Sequence, residues 1–427
     1  MIKKLTSLLF KKQRSSKKEF HTQSKYFCVL PWIHIHGLPD GRVLPCCVSE
    51  FDDSYGDLNQ NSLKEVWNNK KYNSMRLNML QDKPVSSCYK CYELEESHIH
   101  SMRQRMNEEF KQTLPEIIPN TEADGSLKKQ VMKYLDFRFS NICNFKCRGC
   151  SPALSTTWYD DHQKLWDFKS PHDKLINITS HKPEVWSEIK DQLPHLEKAY
   201  FAGGEPLLME EHYQCLEYLI ENNHVDVALS YNTNLSVLRF KKYDLIAMWK
   251  KFKRVDIMLS LDDIESRGEY FRSGLKWETL LKNMKAIKEE LPHVYTHINC
   301  TVSLFNIHRL PQIHQTVLKL GFINENGFIL NTLQDPVEYR TQVLSQKHKA
   351  LVALELTQYC QSLKNKFPDQ DWSNFTHSVN AQIEFMLAED LSHKAHDFKK
   401  VTLKLDQIRE ESFSETYPEL RYLVGEA

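Results

Sequence analysis

Cys143-Asn144-Phe145-Lys146-Cys147-Arg148-Gly149-Cys150 is the stretch from which the fold of this chain is read. Cysteines at i, i+4 and i+7 could line one face of a helix as small buried hydrophobes, but Asn144, Lys146, Arg148 and Gly149 make a poor core helix. Spaced CxxxCxxC, three thiolates instead suit one metal centre. They can hold three irons of a [4Fe-4S] cube and leave the fourth iron without a protein ligand, open to a substrate or cofactor. The preceding run, Tyr134-Leu135-Asp136-Phe137-Arg138-Phe139, alternates with period two and reads as a strand that delivers the cysteine loop at its C-terminal end.

A second apolar run, Lys198 to Ala202, leads into Gly203-Gly204-Glu205-Pro206, where two glycines let a ligand approach the backbone and the glutamate offers a carboxylate. In this order, CxxxCxxC after one strand and GGEP after the next resemble the radical S-adenosylmethionine superfamily. The resemblance implies a cluster on Cys143, Cys147 and Cys150 whose open iron is chelated by the amino and carboxylate groups of S-adenosylmethionine. It also implies that the backbone and carboxylate of Gly203, Gly204 and Glu205 hold that amino group.

Residues 25–97 carry a second metal signature. Ile33-His34-Ile35-His36 alternates as a strand, Leu38-Pro39-Asp40-Gly41 reads as a hairpin turn, and Arg42-Val43-Leu44-Pro45 returns to Cys46-Cys47. Cys28 and Cys46 are thereby expected at one end of the hairpin, and Cys88-Tyr89-Lys90-Cys91 supplies a knuckle. Cys47 is a spare thiol that could replace Cys46 as ligand or be buried. Cys46 is favoured, and since consecutive strand residues face opposite sides Cys47 is expected to point away. Leu63, Val66 and Trp67 give helical spacing after Asn61 and Ser62, which can cap. Four thiolates describe a closed site for structural zinc or for a fully protein-bound [4Fe-4S] cube, and spacing alone does not choose. The pattern Cys28, twelve residues, Gly41, four residues, Cys46, with Gly56-Asp57-Leu58, Ser62 to Trp67 and the later CxxC, resembles SPASM and twitch domains. The resemblance implies an auxiliary [4Fe-4S] cluster on Cys28, Cys46, Cys88 and Cys91. No cysteine lies between Cys91 and Cys143, so one auxiliary cluster and the twitch form are expected, with the module N-terminal to the core.

Composition bounds the rest. A hydrophobic fraction of 41% over 427 residues is that of a globular chain with room for two or three domains. The 56 basic and 56 acidic side chains cancel, so no global field draws the chain to nucleic acid, and a nucleic-acid partner is not expected. The 11 cysteines cluster as metal ligands, which calls for a reducing compartment, and the cytoplasm is expected. No apolar run approaches the roughly 18 residues of a membrane span, so no membrane is expected, and Leu5 to Phe10 is too short for a signal-peptide core. Residues 1–24 read as a basic disordered tail. Residues 98–130 read as a linker whose His98 and His100 are exposed.

From 131 to 335 strand-like runs alternate with amphipathic helical runs: 133–139, 196–202, 226–231, 254–261, 296–304 and 327–332. The expected fold is α/β, a partial (β/α)6 TIM-like barrel with the small N-terminal cysteine-rich hairpin and helix module. Ligands gather at the C-terminal ends of such strands, where the cysteine loop and GGEP both fall. Ser230, Asn232 and Asn234 follow the third strand, and Ser260, Asp262, Arg267 and Arg272 the fourth. By resemblance, Ser230, Asn232, Asn234, Ser260, Asp262 and Arg272 join the S-adenosylmethionine contacts. Two departures stand out: Leu235 where relatives carry an Asn-Gly turn, and Gly149 where they place an aromatic residue against adenine. Cys215, Cys300 and Cys360 are expected in the core. Residues 336–427 form a C-terminal helical extension without a catalytic motif.

The expected activity is reductive cleavage of S-adenosylmethionine with an electron from flavodoxin or ferredoxin, followed by hydrogen abstraction from a peptide or protein side chain. No protein catalytic base is demanded. The enzymatic rival is dehydrogenation or epimerisation of a small sugar-like molecule. The non-enzymatic rival is a zinc-stabilised binding protein, which leaves GGEP unexplained.

Overall fold

A computed structural model describes residues 24–426 other than His98. Apart from Ser24, the basic tail therefore lies outside the described residues, as does the histidine expected beside the knuckle. The described chain divides into two compact units, 24–137 with 178–198 and 138–177 with 199–426.

In the first unit β1 (His34–Gly37) and β2 (Arg42–Leu44) form the expected antiparallel hairpin, closed by Leu38 N donating to Arg42 O at 2.9 Å. Gly41 turns the corner at φ +93°, a conformation that disfavours side chains, and a Cβ there would run into the Asn59 amide. β3 (Gly56–Asp57) pairs antiparallel with β2, and β4 (Tyr134–Phe137) pairs parallel with β1, giving the order β4-β1-β2-β3. The helix Leu63–Trp67 begins at Ser62, whose hydroxyl accepts from Glu65 N while Glu65 accepts from Ser62 N at 2.8 Å. That reciprocal cap satisfies two orphan donors and lets so short a helix bury Leu63, Val66 and Trp67.

In the second unit β5 (Lys198–Phe201), β6 (Ala228–Thr233), β9 (Val255–Ser260), β10 (Val294–Val302) and β11 (Phe328–Thr332) lie in the order β5-β6-β9-β10-β11. β7 (Arg239–Phe240) and β8 (Tyr243–Asp244) make a separate hairpin. β6, β9, β10 and β11 are parallel, with helices Leu245–Trp249, Trp277–Glu290 and Leu310–Lys319 in the crossovers. All six expected strands form, and the fold is α/β, of the partial TIM-like barrel class. Alternation assigns the faces. Leu229, Tyr231 and Thr233 of β6 are buried, Tyr231 stacking on Phe201 at 5.3 Å between centroids and meeting Trp249 edge-on at 5.1 Å. Ser230 and Asn232 point to the opposite face, the barrel interior. The C-terminal region is helical as expected, with Gln346–Lys366, Ser373–Ala388 and Ala395–Arg409. Cys215, Cys300 and Cys360 are buried. No helix among the described residues is long and apolar enough to cross a membrane.

Candidate functional site

The cysteine loop is built almost entirely on backbone carbonyls. Ser155 Oγ and Thr157 Oγ1 donate to Phe145 O at 2.6 and 2.8 Å, and Trp158 Nε1 donates to Cys147 O at 2.6 Å. Lys146 N and Arg148 N donate to Ser273 O and Phe271 O at 2.9 and 2.8 Å, so Cys147 is clamped between two backbone bonds. The three thiols share one small volume. Burial pushes the Cys143 thiol up, and the charges of Glu205, Cys147 and Cys150 raise it further, while Cys150 is pushed up to about 12 by burial and then by Cys147. Free thiolates are unfavourable in such a place, and a cationic metal centre reverses the balance.

GGEP docks on this loop through backbone. Glu205 N donates to Ile142 O at 2.7 Å and Gly204 N to Ser140 O at 3.3 Å. The Glu205 carboxylate is buried and accepts from Leu207 N at 3.0 Å, Thr233 Oγ1 at 2.6 Å and Asn234 N at 2.7 Å. Asn234 also reaches the cysteine loop, its Nδ2 donating to Asn144 Oδ1 at 3.0 Å. Leu235, at the first departure, takes φ +52°, the left-handed conformation that glycine supplies more cheaply. Its N bonds Thr233 Oγ1 at 2.9 Å and its carbonyl accepts from Asn283 Nδ2 at 2.9 Å, so the turn is kept without glycine. At the second departure, a Cβ on Gly149 would meet Leu333 at 3.1 Å and Phe271 at 3.5 Å: those side chains fill the space an aromatic there would need.

Asp262 and Arg272 work as a pair. Arg272 Nε lies 2.9 Å from Asp262 Oδ2, Asp262 Oδ1 accepts from Thr301 N at 2.8 Å, and the Arg272 guanidinium reaches Cys147 Sγ at 3.7 Å. Asp262 thus holds the Arg272 guanidinium beside the Cys147 sulfur. Arg267, in contrast, is engaged with Glu419. Strand alternation places Ser230 and Ser260 on the interior face. Asn232 donates to Tyr200 Oη at 2.6 Å and accepts from Asn299 Nδ2 at 3.3 Å, and Asn299 in turn accepts from Asn331. With Arg138 stacked 4.7 Å over the Tyr200 ring, this row lines the interior with amides and one cation.

In the first unit Cys28, Cys46, Cys88 and Cys91 come together. Burial raises the Cys28 thiol first, with Cys88, Cys46 and Cys91 adding their charges, and Cys88 is pushed up to about 12 by burial, Cys46 and Cys91. Among the described residues no three cysteine sulfurs lie within 4.8 Å of one another, in this group or at Cys143, Cys147 and Cys150. Thiolates on one zinc sit about 4 Å apart and those on one cube roughly 6 to 7 Å apart. The alternation rule expected to turn Cys47 outward does not apply: β2 ends at Leu44, and Cys46 and Cys47 occupy the turn after it, closed by Ser49 Oγ donating to Cys46 O at 2.6 Å. The Cys28 loop is held by the helix Met102–Glu109, within the stretch expected to be a linker. Arg103 and Asn107 both donate to Phe27 O at 2.8 Å, and Asn107 Oδ1 accepts from Val29 N at 2.8 Å. His100 is exposed.

The iron-sulfur cluster-binding SPASM domain model matches residues 28–92, and the radical SAM superfamily model matches 137–315. The chain carries a radical SAM domain preceded by a SPASM domain. A radical SAM domain implies S-adenosylmethionine and a [4Fe-4S] cluster, and a SPASM domain implies further iron-sulfur binding. No curated protein sequence matches the chain. Among solved structures, anSMEcpe with bound AdoMet and the Cp18Cys peptide is 16% identical, covering 55% of this chain and 60% of its own, at TM-score 0.37. Histidine-tagged anSMEcpe with bound AdoMet is 17% identical over 57% and 59%, at TM-score 0.38. TYW1 with a lysine-pyruvate adduct bound is 13% identical over 55% and 71%, at TM-score 0.27. The chain thus spans about 60% of the length of the first of these.

Within the radical SAM domain, sequence motifs miss a latch from the C-terminal helices. Arg148 is buried, stacks 3.8 Å over the Tyr270 ring, and bonds Asp406 at 2.5 Å and Glu411 at 2.6 Å. Asp161 accepts from Lys146 Nζ, 3.0 Å away, and from Arg409 Nε at 2.7 Å. Both basic residues of the cysteine loop are therefore neutralised within the second unit, and the helix Ala395–Arg409 shares in fixing the loop. The only advance signal is the loop's own Lys146 and Arg148, two charges in a short loop, of which the buried Arg148 requires partners.

Proposed function

We propose that this chain reductively cleaves S-adenosylmethionine at a [4Fe-4S] cluster held by Cys143, Cys147 and Cys150, and takes hydrogen from a peptide or protein side chain. When bound, the cluster supplies the electron that splits S-adenosylmethionine into methionine and a 5′-deoxyadenosyl radical. The protein's part is positional. Glu205 and the GGEP backbone accept the amino group, Arg272 sets charge at Cys147, and Asn234 ties the third strand end to the loop. The observation that carries the reading is the docking of GGEP on a three-thiol loop by backbone hydrogen bonds. The interior row of Asn232, Asn299, Asn331, Tyr200 and Arg138 offers donors and acceptors matched to peptide amides, which favours a peptide over a sugar. Cys28, Cys46, Cys88 and Cys91 hold one auxiliary cube in the twitch manner and pass the substrate electron on. The donor is a flavodoxin or ferredoxin, and the reducing cytoplasm is the compartment.

The test is anaerobic purification with iron and sulfide analysis and a deoxyadenosine assay. About eight irons and eight sulfides per chain are expected, with deoxyadenosine released on reduction. Four irons leave the auxiliary proposal without support, and no sulfide sinks the whole reading.

Glu205 gives a pH dependence. Burial pushes its carboxyl up to about 7, against the pull of Thr233, Asn234 and Leu207. The amino group of S-adenosylmethionine needs the ionised form as acceptor, so affinity should rise with pH and fall about tenfold per unit below 7. In the ligand-free protein the sign is opposite. A carboxyl whose pKa is raised on folding stabilises the fold fully below its ordinary 4.5, and that contribution is lost as pH climbs through 7. Equilibrium binding across this range checks the first sign, and Glu205→Gln should flatten the profile.

A further inference from the structure

His34, His36 and Asp136 form a second kind of donor set, in the first unit and distinct from the cysteines. His34 and His36 are two apart on β1, so both rings project from the same face of the strand. β4 runs parallel beside it with His34 opposite Tyr134 and His36 opposite Asp136, which places the carboxylate next to the second ring. One ligand atom from each of the three lies within 4.8 Å of the others, and the side chains are buried, with relative exposures of 0%, 3% and 0%.

Two details point to an ion. His34 Nδ1 lies 3.1 Å from Tyr134 O, and donation to that carbonyl fixes the tautomer with the lone pair on Nε2. Ligating histidines are oriented in this way, by giving the other ring N–H to a carbonyl. His36 Nδ1 lies 3.1 Å from Asp136 Oδ2. Two ligands each about 2.1 Å from one first-row ion lie roughly 3.0 to 3.4 Å apart, which is the separation found.

We propose that His34, His36 and Asp136 bind one divalent first-row transition ion, zinc(II) in the first instance, which clips β1 to β4. Two imidazoles and a carboxylate are a borderline donor set suited to zinc(II) or ferrous iron, and too rich in nitrogen for magnesium or calcium. Burial means that the ion enters as the strands pair, so its binding free energy adds to folding free energy. The proposal is independent of the cysteine clusters and of any activity.

The test uses the unaltered protein, purified anaerobically with its clusters from medium containing zinc(II). Metal analysis should give one zinc per chain, or, if ferrous iron is the occupant, one iron in excess of acid-labile sulfide. An anomalous difference map at the matching edge should place that ion between the three side chains. Asp136→Asn and His36→Asn should each lose that equivalent while cluster iron and sulfide stay unchanged. A wild-type protein with no metal beyond its cubes overturns the proposal in favour of a metal-free histidine and aspartate contact, as does retention of the extra equivalent in folded variants.

Discussion

Cys143→Ala is expected to reduce 5′-deoxyadenosine formation to background while leaving the far-ultraviolet circular dichroism unchanged. The loop keeps its conformation because its supports do not pass through that sulfur. Ser155, Thr157 and Trp158 hold Phe145 O and Cys147 O, and Phe271 and Ser273 hold the backbone on both sides of Cys147. The Cys143 sulfur accepts one weak bond, from Phe145 N at 3.4 Å. What is lost is a ligand: two thiolates do not retain a cube that already leaves one iron open, so iron should fall by about four per chain. Iron and sulfide content, deoxyadenosine by chromatography and circular dichroism on the same sample make the check. A variant that keeps turnover removes Cys143 from the site, and a variant that unfolds shows that the sulfur carries structure instead.

What could be seen in the sequence was what is local. Short apolar strand-like runs marked all six expected strands, and the CxxxCxxC and GGEP motifs each need only a few consecutive residues to be recognised. Partners distant in sequence were not visible. Arg148 meets Asp406 after 258 intervening steps of chain, and only the folded form shows that the C-terminal extension secures the cysteine loop. Leu333 fills the space beside Gly149 from a different strand end, and the Cys28 loop is pinned by Arg103 and Asn107 from a stretch whose charge and prolines suggested a linker. His34 and His36 were read as strand alternation. Their convergence with Asp136 depends on the parallel register of β1 and β4, which no single run of residues encodes. Leu235 marks the opposite limit: a missing glycine read as a departure, although the turn forms with leucine at positive φ.

Gly204→Ala is expected to remove nearly all activity, and far more of it than Gly203→Ala, because the two glycines serve different ends. Gly203 has φ +121°, so alanine there is strained by about 1 to 2 kcal/mol, but its Cβ would find Ser140 O at 3.3 Å and Met209 at 3.5 Å, contacts that a small adjustment relieves. A Cβ on Gly204 would be driven into Ile142 O, with Asn141 C at 2.7 Å and Asn141 O at 2.8 Å. These are backbone atoms of the residues immediately before Cys143, so no side chain can swing aside and the GGEP turn must move off the loop. Moving it breaks Glu205 N to Ile142 O and Gly204 N to Ser140 O, the bonds that fix the carboxylate relative to the thiols. A shift of about 1 Å in a positioning group costs on the order of 10²-fold in rate, so Gly204→Ala should lose at least that factor in deoxyadenosine formation. Because all three cysteines remain, its cluster iron should stay near the wild-type value, and S-adenosylmethionine affinity should fall with the rate. Equal losses in the two alanine variants would place the constraint in backbone conformation and not in the close approach of GGEP to the loop.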